Sequence, residues 1–462
     1  MDAESLARIQ FAFTVGFHFI FVPISIGLGV MLLIAERRYY KSGLAIDKAT
    51  SEMWKKIFAA TFAIGVATGI SMEFAFGTNW ASYSRFVGDI FGVPLAAEGL
   101  MAFFLESVFL GVLLLGRDRV SKGFYYASAW IVVVAAHLSA LWIIIANSWM
   151  QTPAGYRIDA LGFPRLTSLW AAAVNHSTVV RYFHVIAATW VTGAFVVAAV
   201  CAFYLLRGRD KWMVRRTLGS ALVIGLIATI AMPLTGDRSA KEVTKYQPAK
   251  LAAFEGLYKT RDDAPIYLFG WVDTNSQKVT GIAIPGGLSF LAHGSPGDDV
   301  TGLDQAAPNA SDRPPEQIVF QSYHFMVAIG MLMLLIMIVA LFAHIRGTLE
   351  NWRWLQWVLA VAFPLPFIAI TLGWIAAEVG RQPWIVQGLM RTRDAISPAV
   401  SAGTIGVSLT IFGLLYLLLF VAWVRIVASA IRKGPALEQA EVPAHKERPH
   451  PGASGSAVEV EP

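Results

Sequence analysis

The stretch IQFAFTVGFHFIFVPISIGLGVMLLIA, residues 9–35, decides the fold class of this chain. It carries no charged side chain and is longer than the ~20 residues that cross a bilayer as a helix. Further apolar runs follow at residues 57–75, 95–115, 124–146, 183–206, 218–235, 319–345, 355–377 and 403–428. The sequence therefore predicts an all-α polytopic membrane protein with about nine transmembrane helices.

The composition excludes an ordinary soluble protein. Of 462 residues, 56% are hydrophobic and only 15% are charged, whereas soluble domains carry about 25% charged residues. The mean hydropathy is +0.56. The single cysteine, Cys201, lies inside an apolar run, so we expect no disulfide framework and no cysteine-based metal site.

The distribution of Lys and Arg predicts the orientation of the helices. With the N-terminus outside, the inner connections hold more than twice as many Lys and Arg as the short outer ones. We therefore expect a cytoplasmic C-terminus and a bacterial cytoplasmic (inner) membrane location. The expected divisions are helices one to six (1–235), a polar outer loop (236–318), helices seven to nine (319–430) and a disordered cytoplasmic tail (431–462).

Two histidines and a methionine inside the apolar runs are candidate haem ligands. His18 lies in the middle of the first run, where it either bonds a neighbouring helix or ligates iron. His184 and Met326 lie near the outer ends of the fifth and seventh runs, so they share a depth. A His/Met pair at one depth suits a six-coordinate haem that transfers electrons, although methionine in an apolar run is normally core filling. His137 has the same ambiguity as His18, and an interhelical hydrogen bond is enough to explain it.

Buried carboxylates are the second unusual feature. Glu378 lies in GWIAAEVGRQPW, residues 373–384, with Arg381 three residues later. A charge at membrane depth is costly and usually functional. Glu98 and Glu106 lie in the third run, about 12 Å apart along one helix, which favours a proton relay or a cation path over a pair of protonated acids. Glu73 could simply reach water.

The residues by themselves leave two interpretations open. Buried His, Met and Glu side chains suit redox chemistry coupled to protons, and they also suit a proton- or cation-coupled transporter. The spans contain no internal repeat of the kind found in many transporters. For Lys250 and Glu255, in the outer loop, the local sequence alone predicts a solvated charge pair.

Several segments in the same order resemble subunit I of the bacterial cytochrome bd-type quinol oxidases. The resemblance covers about residues 5–430, and its strongest segments are IQFAFTVGFHFIFVPISIG (9–27), GVATGISMEFAFGTNWASYSRFVGDIFGVPLAAEGLMAFFLES (65–107), LSALWIIIANSWMQTP (138–153), KLAAFE (250–255) and GRQPW (380–384). It implies a terminal respiratory oxidase that oxidises quinol at the outer face and reduces oxygen to water. Proton uptake from the cytoplasm would then generate proton motive force without pumping.

The resemblance also implies the haem ligands. His184 and Met326 correspond to the axial ligands of a low-spin haem b (haem b558). His18 and Glu378 correspond to the ligands of two haems at the oxygen site, which are a high-spin haem b (haem b595) and either haem d or a second haem b. The sequence does not assign these two haems to the two residues.

Other residues gain roles only through the resemblance. Lys250 and Glu255 match the quinol-interacting pair of the outer loop, called the Q-loop. Glu98 and Glu106 match acids that deliver protons, and Trp374 matches a tryptophan between haems. The remaining matches are Arg381, expected to neutralise haem propionates, and Ser139 and Asn147, expected in the proton or oxygen-site network.

The sequence departs from the family pattern in two places. His324 stands where the family often has arginine, two residues before Met326, which puts charge compensation at the low-spin haem in question. The outer loop is short and is similar to that of the short-Q-loop branch, which includes cyanide-insensitive oxidases. The resemblance further implies a second membrane subunit, subunit II, and small single-span subunits as partners. A haem b subunit of another quinone enzyme remains the alternative that would not reduce oxygen.

Overall fold

The computed structural model describes residues 2–99 and 104–436. The expected disordered tail therefore lies largely outside the described residues. The fold is mostly helical, and its helices are α1 (Ala3–Ser42), α2 (Ala45–Thr78), α3 (Ala81–Ala97), α4 (Phe104–Leu115), α5 (Lys122–Gln151), α6 (Leu169–Ala173), α7 (Thr178–Leu206), α8 (Lys211–Tyr246), α9 (Pro248–Glu255), α10 (Gly287–His293), α11 (Leu303–Ala306), α12 (Glu316–Ile345), α13 (Arg353–Val361), α14 (Leu365–Val379) and α15 (Ala402–Lys433).

Three short antiparallel hairpins complete the described fold. They pair β1 (Tyr156–Ile158) with β2 (Pro164–Leu166), β3 (Ile266–Asp273) with β4 (Lys278–Ile284), and β5 (Trp384–Val386) with β6 (Met390–Arg391). All three lie in connections between long helices, and they therefore fold the loops back over the ends of the bundle.

Eight helical segments in the described residues are long and apolar enough to cross a membrane. Each coincides with one of the runs expected from the sequence. The ninth expected run, 95–115, has no counterpart among these eight segments. It comprises the end of α3, residues 100–103, which lie outside the description, and the shorter apolar helix α4. The polytopic helical class is confirmed, while the count of nine and the orientation stay predictions.

Proline explains why the span expected at 355–377 consists of two helices. α13 ends at Val361 and α14 begins at Leu365, with Pro364 at the junction. Proline lacks an N–H donor and clashes with the preceding turn, so the helix restarts there. α14 then ends directly after Glu378, which places this carboxylate at a helix terminus.

Glycine permits α1 and α7 to cross at backbone contact. A Cβ atom added to Gly27 would lie 2.0 Å from the carbonyl oxygen of Thr189 and 2.7 Å from the amide nitrogen of Gly193. Only glycine on both helices allows such an approach. His18 and His184 precede their respective crossing glycines by the same number of residues.

The direction of the two helices then fixes the relative depth of the histidines. Val22 of α1 and Tyr182 of α7, both on the amino-terminal side of the crossing, pack into one apolar cluster. α1 and α7 therefore run in the same direction, and His18 and His184 lie at similar depth in the bundle.

The opposite end of the bundle gathers the segments that the Lys/Arg distribution assigns to the inner side. The Tyr204 hydroxyl, near the end of α7, donates to the carbonyl oxygen of Ile431 in α15 at 2.7 Å and lies 3.4 Å from Sδ of Met53 in α2. Arg216 of α8 pairs with Asp47 of α2 at 3.4 Å. These termini share one end, as alternating spans require.

α8 extends farther than the sequence indicates. The apolar run stops at residue 235, but the helix continues to Tyr246, and Lys241 pairs with Asp237 at 2.8 Å along the extension. The polar segment 236–246 therefore belongs to a helix, and α9 follows it almost immediately. α9 packs against α8 and α12 and carries Lys250 and Glu255.

Candidate functional site

His18 is held in one orientation by a threonine on the neighbouring helix. Nδ1 of His18 lies 2.8 Å from Oγ1 of Thr68 in α2. The single hydroxyl hydrogen of Thr68 is directed to backbone carbonyls of its own helix, that of Ile64 at 2.9 Å and that of Gly65 at 3.0 Å. The threonine oxygen therefore accepts a hydrogen bond from Nδ1–H, and Nε2 of His18 keeps its lone pair.

His184 has the same arrangement on a different pair of helices. Its Nδ1 lies 2.9 Å from Oγ1 of Thr235 in α8, and the Thr235 hydroxyl is directed to the carbonyl oxygen of Ala231 at 2.8 Å. Nδ1–H again donates and Nε2 is free. An imidazole fixed in this tautomer by its other nitrogen is the form that binds a metal.

A glycine follows each of these threonines and leaves space beside the imidazole. A Cβ added to Gly69 would lie 3.4 Å from Cε1 of His18, and one added to Gly236 would lie 3.8 Å from Cε1 of His184. The Thr-Gly dipeptides 68–69 and 235–236 are visible in the sequence. They were missed as site elements because only the fold shows that they face histidines.

Met326 lies in α12 and faces α14 at a glycine. A Cβ added to Gly373 would be 2.8 Å from Sδ of Met326. Trp374, the next residue, packs edge-on against Phe19 of α1 with ring centroids 6.1 Å apart. α14 therefore contacts both the candidate thioether ligand and the residue that follows His18.

Glu378 is the centre of a buried polar network. Nη2 of Arg381 donates to Oε2 at 2.5 Å, and the amides of Asn147 and Gln151 each donate to Oε1 at 3.1 Å. Nη2 of Arg181 lies 4.0 Å from Oε1. Guanidinium and amide donors of this kind suit a carboxylate, and a carboxylate can ligate iron.

Lys250 joins this network rather than pairing with Glu255. Its Nζ donates to Oε1 of Gln151 and, at 2.8 Å, to Oε1 of Gln247. Burial, reinforced by the positive charges of Arg381 and Arg181, lowers the pKa of Lys250 well below its usual range, although Glu378 acts in the opposite direction. The local expectation of a solvated Lys250–Glu255 pair is therefore wrong, because both side chains are buried and face different neighbours.

Glu255 lies on the other side of α9, against α12 and β3. Its carboxyl makes no regular hydrogen bond with the described residues, and the nearby backbone N–H of Tyr267 only partly offsets the loss of water. Burial raises the pKa of Glu255 to about 8. Its nearest basic group is Nε2 of His324, at 3.7 Å. A carboxyl with this pKa can exchange a proton near neutral pH.

His324 is directed toward Glu255 by its own helix. Nδ1 of His324 lies 2.8 Å from the carbonyl oxygen of Phe320 one turn earlier, so Nε2 faces the carboxyl of Glu255. The histidine that replaces the family's usual arginine is thus a neighbour of the predicted quinol residue.

Glu98 and Glu106 lie on separate described segments. Glu98 follows α3 and accepts a hydrogen bond from the Ser139 hydroxyl at 3.0 Å. Glu106 is buried in the first turn of α4. Residues 100–103 between them lie outside the description, so the expected 12 Å separation stays a prediction.

His137 takes the structural role that the sequence allowed. Both of its ring nitrogens are engaged, Nδ1 with the carbonyl oxygen of Val133 at 2.7 Å and Nε2 with the indole N–H of Trp190 at 3.0 Å. It therefore has no free lone pair for a metal.

The described residues fit bound haem groups in three independent ways. The two histidines present free Nε2 atoms, and Met326 lies beside a glycine. Arg381 is buried, yet its Nε and Nη1 find no partner among the described residues, and unpaired buried donors suit haem propionates. Sequence reasoning missed Arg181, Gln151 and Gln247, although an arginine beside the apolar run RYFHVIAATWVTG (181–193) was a visible signal.

The fold and the site define a helical membrane protein with the features of a haem-containing oxidase. A model of the family described as "Cytochrome bd terminal oxidase subunit I" matches residues 6–435. The chain belongs to this family, and the expectation of a membrane-bound quinol oxidase is confirmed. Membership implies haem cofactors, a bacterial membrane location and a second subunit as partner.

Known relatives are similar over almost their whole length. The "Cytochrome bd ubiquinol oxidase subunit 1" of Bacillus subtilis (strain 168) is 38% identical over 443 residues, covering 94% of each chain. The "Cytochrome bd-II ubiquinol oxidase subunit 1" of Escherichia coli (strain K12) is 36% identical, covering 96% of this chain and 99% of that one. The structure of bd oxidase from Geobacillus thermodenitrificans superposes with a TM-score of 0.86 at 31% identity, covering 94% of this chain and 99% of that chain.

Proposed function

We propose that this chain is the haem-bearing subunit of a terminal quinol oxidase in the bacterial cytoplasmic membrane, oriented with its N-terminus outside. His184 and Met326 hold the low-spin haem b, while His18 and Glu378 hold the two haems of the oxygen site. The observation that carries the proposal is the matched setting of His18 and His184. Each donates from Nδ1 to a threonine and keeps Nε2 for a metal.

Quinol binds at α9, within the outer loop, which we take as residues 236–318. Lys250 and Glu255 lie on different sides of this short helix, so we place the two hydroxyl groups of one quinol near different proton acceptors. The lowered pKa of Lys250 favours a neutral amine, and the pKa of Glu255, about 8, lets it accept a proton near neutral pH. Protons accepted here leave to the outer side.

Protons for water formation come from the inner side. Glu106 and Glu98 carry them in turn, with the Ser139 hydroxyl bound to Glu98. Release of protons outside and uptake from inside separates charge across the membrane, so no pumping is required. Asn147 belongs to the oxygen site through its bond to Glu378.

Bound haems would supply the electron path from quinol to oxygen. Arg381 has two buried donors without a partner among the described residues, and these suit haem propionates. Trp374 follows Gly373, which faces Met326, and its ring contacts Phe19 of α1. Subunit II, with any small single-span subunits, completes the complex. Family membership favours the oxidase over a transporter or an electron-transfer subunit of another quinone enzyme.

Oxygen uptake by the assembled complex with a reduced quinol tests this proposal. We expect wild-type complex to consume oxygen and the double variant Lys250→Ala with Glu255→Ala to lose most of this activity. The matched control is Lys241→Ala with Glu242→Ala, which removes the same two side-chain types from the nearby extension of α8. Unchanged quinol oxidation in the α9 variant would overturn the assignment of the quinol site.

A further inference from the structure

An open groove of about 530 Å³ lies at the inner end of the bundle, between the end of α1, the start of α8 and the end of α12. Its lining includes three arginines, Arg38, Arg215 and Arg216. It also includes aliphatic side chains, among them Ile34 and Leu341. Among the described residues, the lining contains no carboxylate.

The arginines are held in place but keep unused donors. Among the residues that the structure describes, Arg38 donates one hydrogen bond, to the Ser220 hydroxyl at 2.7 Å. A guanidinium has five N–H donors, so most of those on Arg38 are free to bind an anion. The side chain is half-buried, and the groove is the open space next to it.

Two carboxylates behind the lining fix the other arginines. Arg216 pairs with buried Asp47 at 3.4 Å, and Arg215 pairs with exposed Glu350 at 3.2 Å. Three arginines line the groove and these two carboxylates pair with two of them, so an excess of positive charge remains there. His344 also lines the groove and packs against α8.

The groove continues into two rows of exposed apolar side chains. On α8 the row begins at Val223 and includes Ile227 and Ile230; on α12 it runs back from Ile345 through Ile338. Each row follows one helical face. The two rows lead from the arginines toward the centre of the bundle's outer surface, where a bilayer would supply hydrocarbon.

We propose that this groove binds the headgroup phosphate of an anionic phospholipid, whose acyl chains lie along the apolar rows of α8 and α12. Guanidinium groups bind phosphate oxygens in a fork geometry, and basic pockets between transmembrane helices on the inner side suit anionic headgroups. The apolar rows favour a lipid over a free anion. The inference goes beyond the oxidase chemistry and does not depend on the haem or quinol assignments.

Native mass spectrometry of the assembled complex tests the proposal. Complex purified in a neutral detergent is titrated with phosphatidylglycerol or with phosphatidylcholine, and lipid retention is measured. We expect phosphatidylglycerol to be retained more strongly. We also expect Arg38→Gln and Arg215→Gln each to weaken its retention about fivefold, the effect of roughly one basic residue near a lipid surface. Arg37→Gln, an exposed neighbour outside the groove, is the matched control and should retain lipid like wild type.

Several results would overturn the proposal. Equal weakening by Arg37→Gln would indicate diffuse charge rather than a site. Displacement of phosphatidylglycerol by equimolar inorganic phosphate would indicate an anion site without lipid specificity. Absence of retained lipid in the wild-type complex would mean that the partner subunit covers the groove. Arg38→Lys keeps the charge and controls for folding, and a haem spectrum taken on the same samples reports separately on the oxidase assignment.

Discussion

Lys250 and Glu378 are joined through a single side chain, the amide of Gln151. Its oxygen accepts a hydrogen bond from Nζ of Lys250, and its nitrogen donates to Oε1 of Glu378 at 3.1 Å. The helix proposed to bind quinol is thereby connected to the carboxylate proposed to ligate a haem. Protonation or movement of Lys250 therefore changes the hydrogen bonding of Glu378 through one intervening residue.

Replacing this bridge should impair turnover. We expect Gln151→Leu to lower quinol oxidation roughly tenfold, because hydrogen bonds to charged groups contribute about 1.5–3 kcal/mol. Steady-state oxygen uptake with quinol measures the effect. The control Gln387→Leu removes an amide at the edge of the network, 3.5 Å from Gln247, and should have little effect. If Gln151→Leu combined with Lys250→Ala gave fully additive losses, the two residues would not act together.

The threonine beside His184 should tune the low-spin haem. We expect Thr235→Val to retain the haem but to raise its midpoint potential, because an imidazole that loses its Nδ1–H acceptor donates less electron density to iron. Thr235→Ser keeps the acceptor and should restore the wild-type potential. A redox titration followed by visible spectroscopy measures the shift.

Thr229→Val provides the matched control for that experiment. Thr229 lies on the same helix, and its hydroxyl is likewise directed to a backbone carbonyl, that of Gly225 at 2.8 Å, without a histidine partner. An identical shift in both variants would show that the potential reports on packing of α8 rather than on the hydrogen bond to His184.

The space that Gly373 leaves beside Met326 should determine whether the low-spin haem b binds. An added methyl group at Gly373 would lie 2.8 Å from Sδ of Met326, so we expect Gly373→Ala to displace the thioether and to reduce the low-spin haem b signal. Gly330→Ala, on the same helix as Met326, meets no atom within 4 Å and should leave the spectrum unchanged. A normal low-spin signal in the Gly373→Ala complex would argue against Met326 as a ligand.

The buried carboxyl of Glu255 predicts a pH dependence of quinol oxidation. Its pKa is raised to about 8, so the fraction of carboxylate, which is the proton-accepting form, increases as pH rises through that value. We expect the rate to increase between about pH 6 and pH 9 and this increase to vanish in Glu255→Gln. The groups that face Glu255 are His324 and Tyr323 on α12 and Tyr267 on β3.

A carboxylate on the polar extension of α8 serves as the comparison for this pH profile. Glu242→Gln, on the extension of α8, should keep the wild-type pH dependence. A profile that rises equally in the Glu255→Gln complex would assign the titration to another group.

Apolar length and residue type predicted most of the fold. Runs such as 9–35 and 403–428 correspond to long helices because a bilayer requires that length and admits few charges. Two boundaries were less predictable. α8 passes residue 235, and its polar extension carries the helical ion pair of Lys241 with Asp237. The helix expected at 355–377 restarts at Pro364.

The sequence indicated single candidate residues of the site but not the side chains that contact them. His18, His184 and Glu378 are conspicuous because such side chains are costly or unusual at membrane depth, whereas Met326 is singled out only because it shares the depth of His184. Their partners are ordinary residues, such as Thr68, Thr235 and Gln151, whose roles arise from helix packing between distant parts of the chain. Local sequence therefore described Lys250 and Glu255 as solvated, and only the packing of α9 shows that both are buried.

The reduced-minus-oxidised visible spectrum of the assembled complex, compared between wild type and His184→Ala, tests the central claim most directly. We predict b-type bands in the wild type and specific loss of the low-spin band in the variant, with the complex still assembled and its other haems present. A His184→Ala complex that kept its full low-spin signal, or a folded wild-type complex without any haem signal, would contradict it.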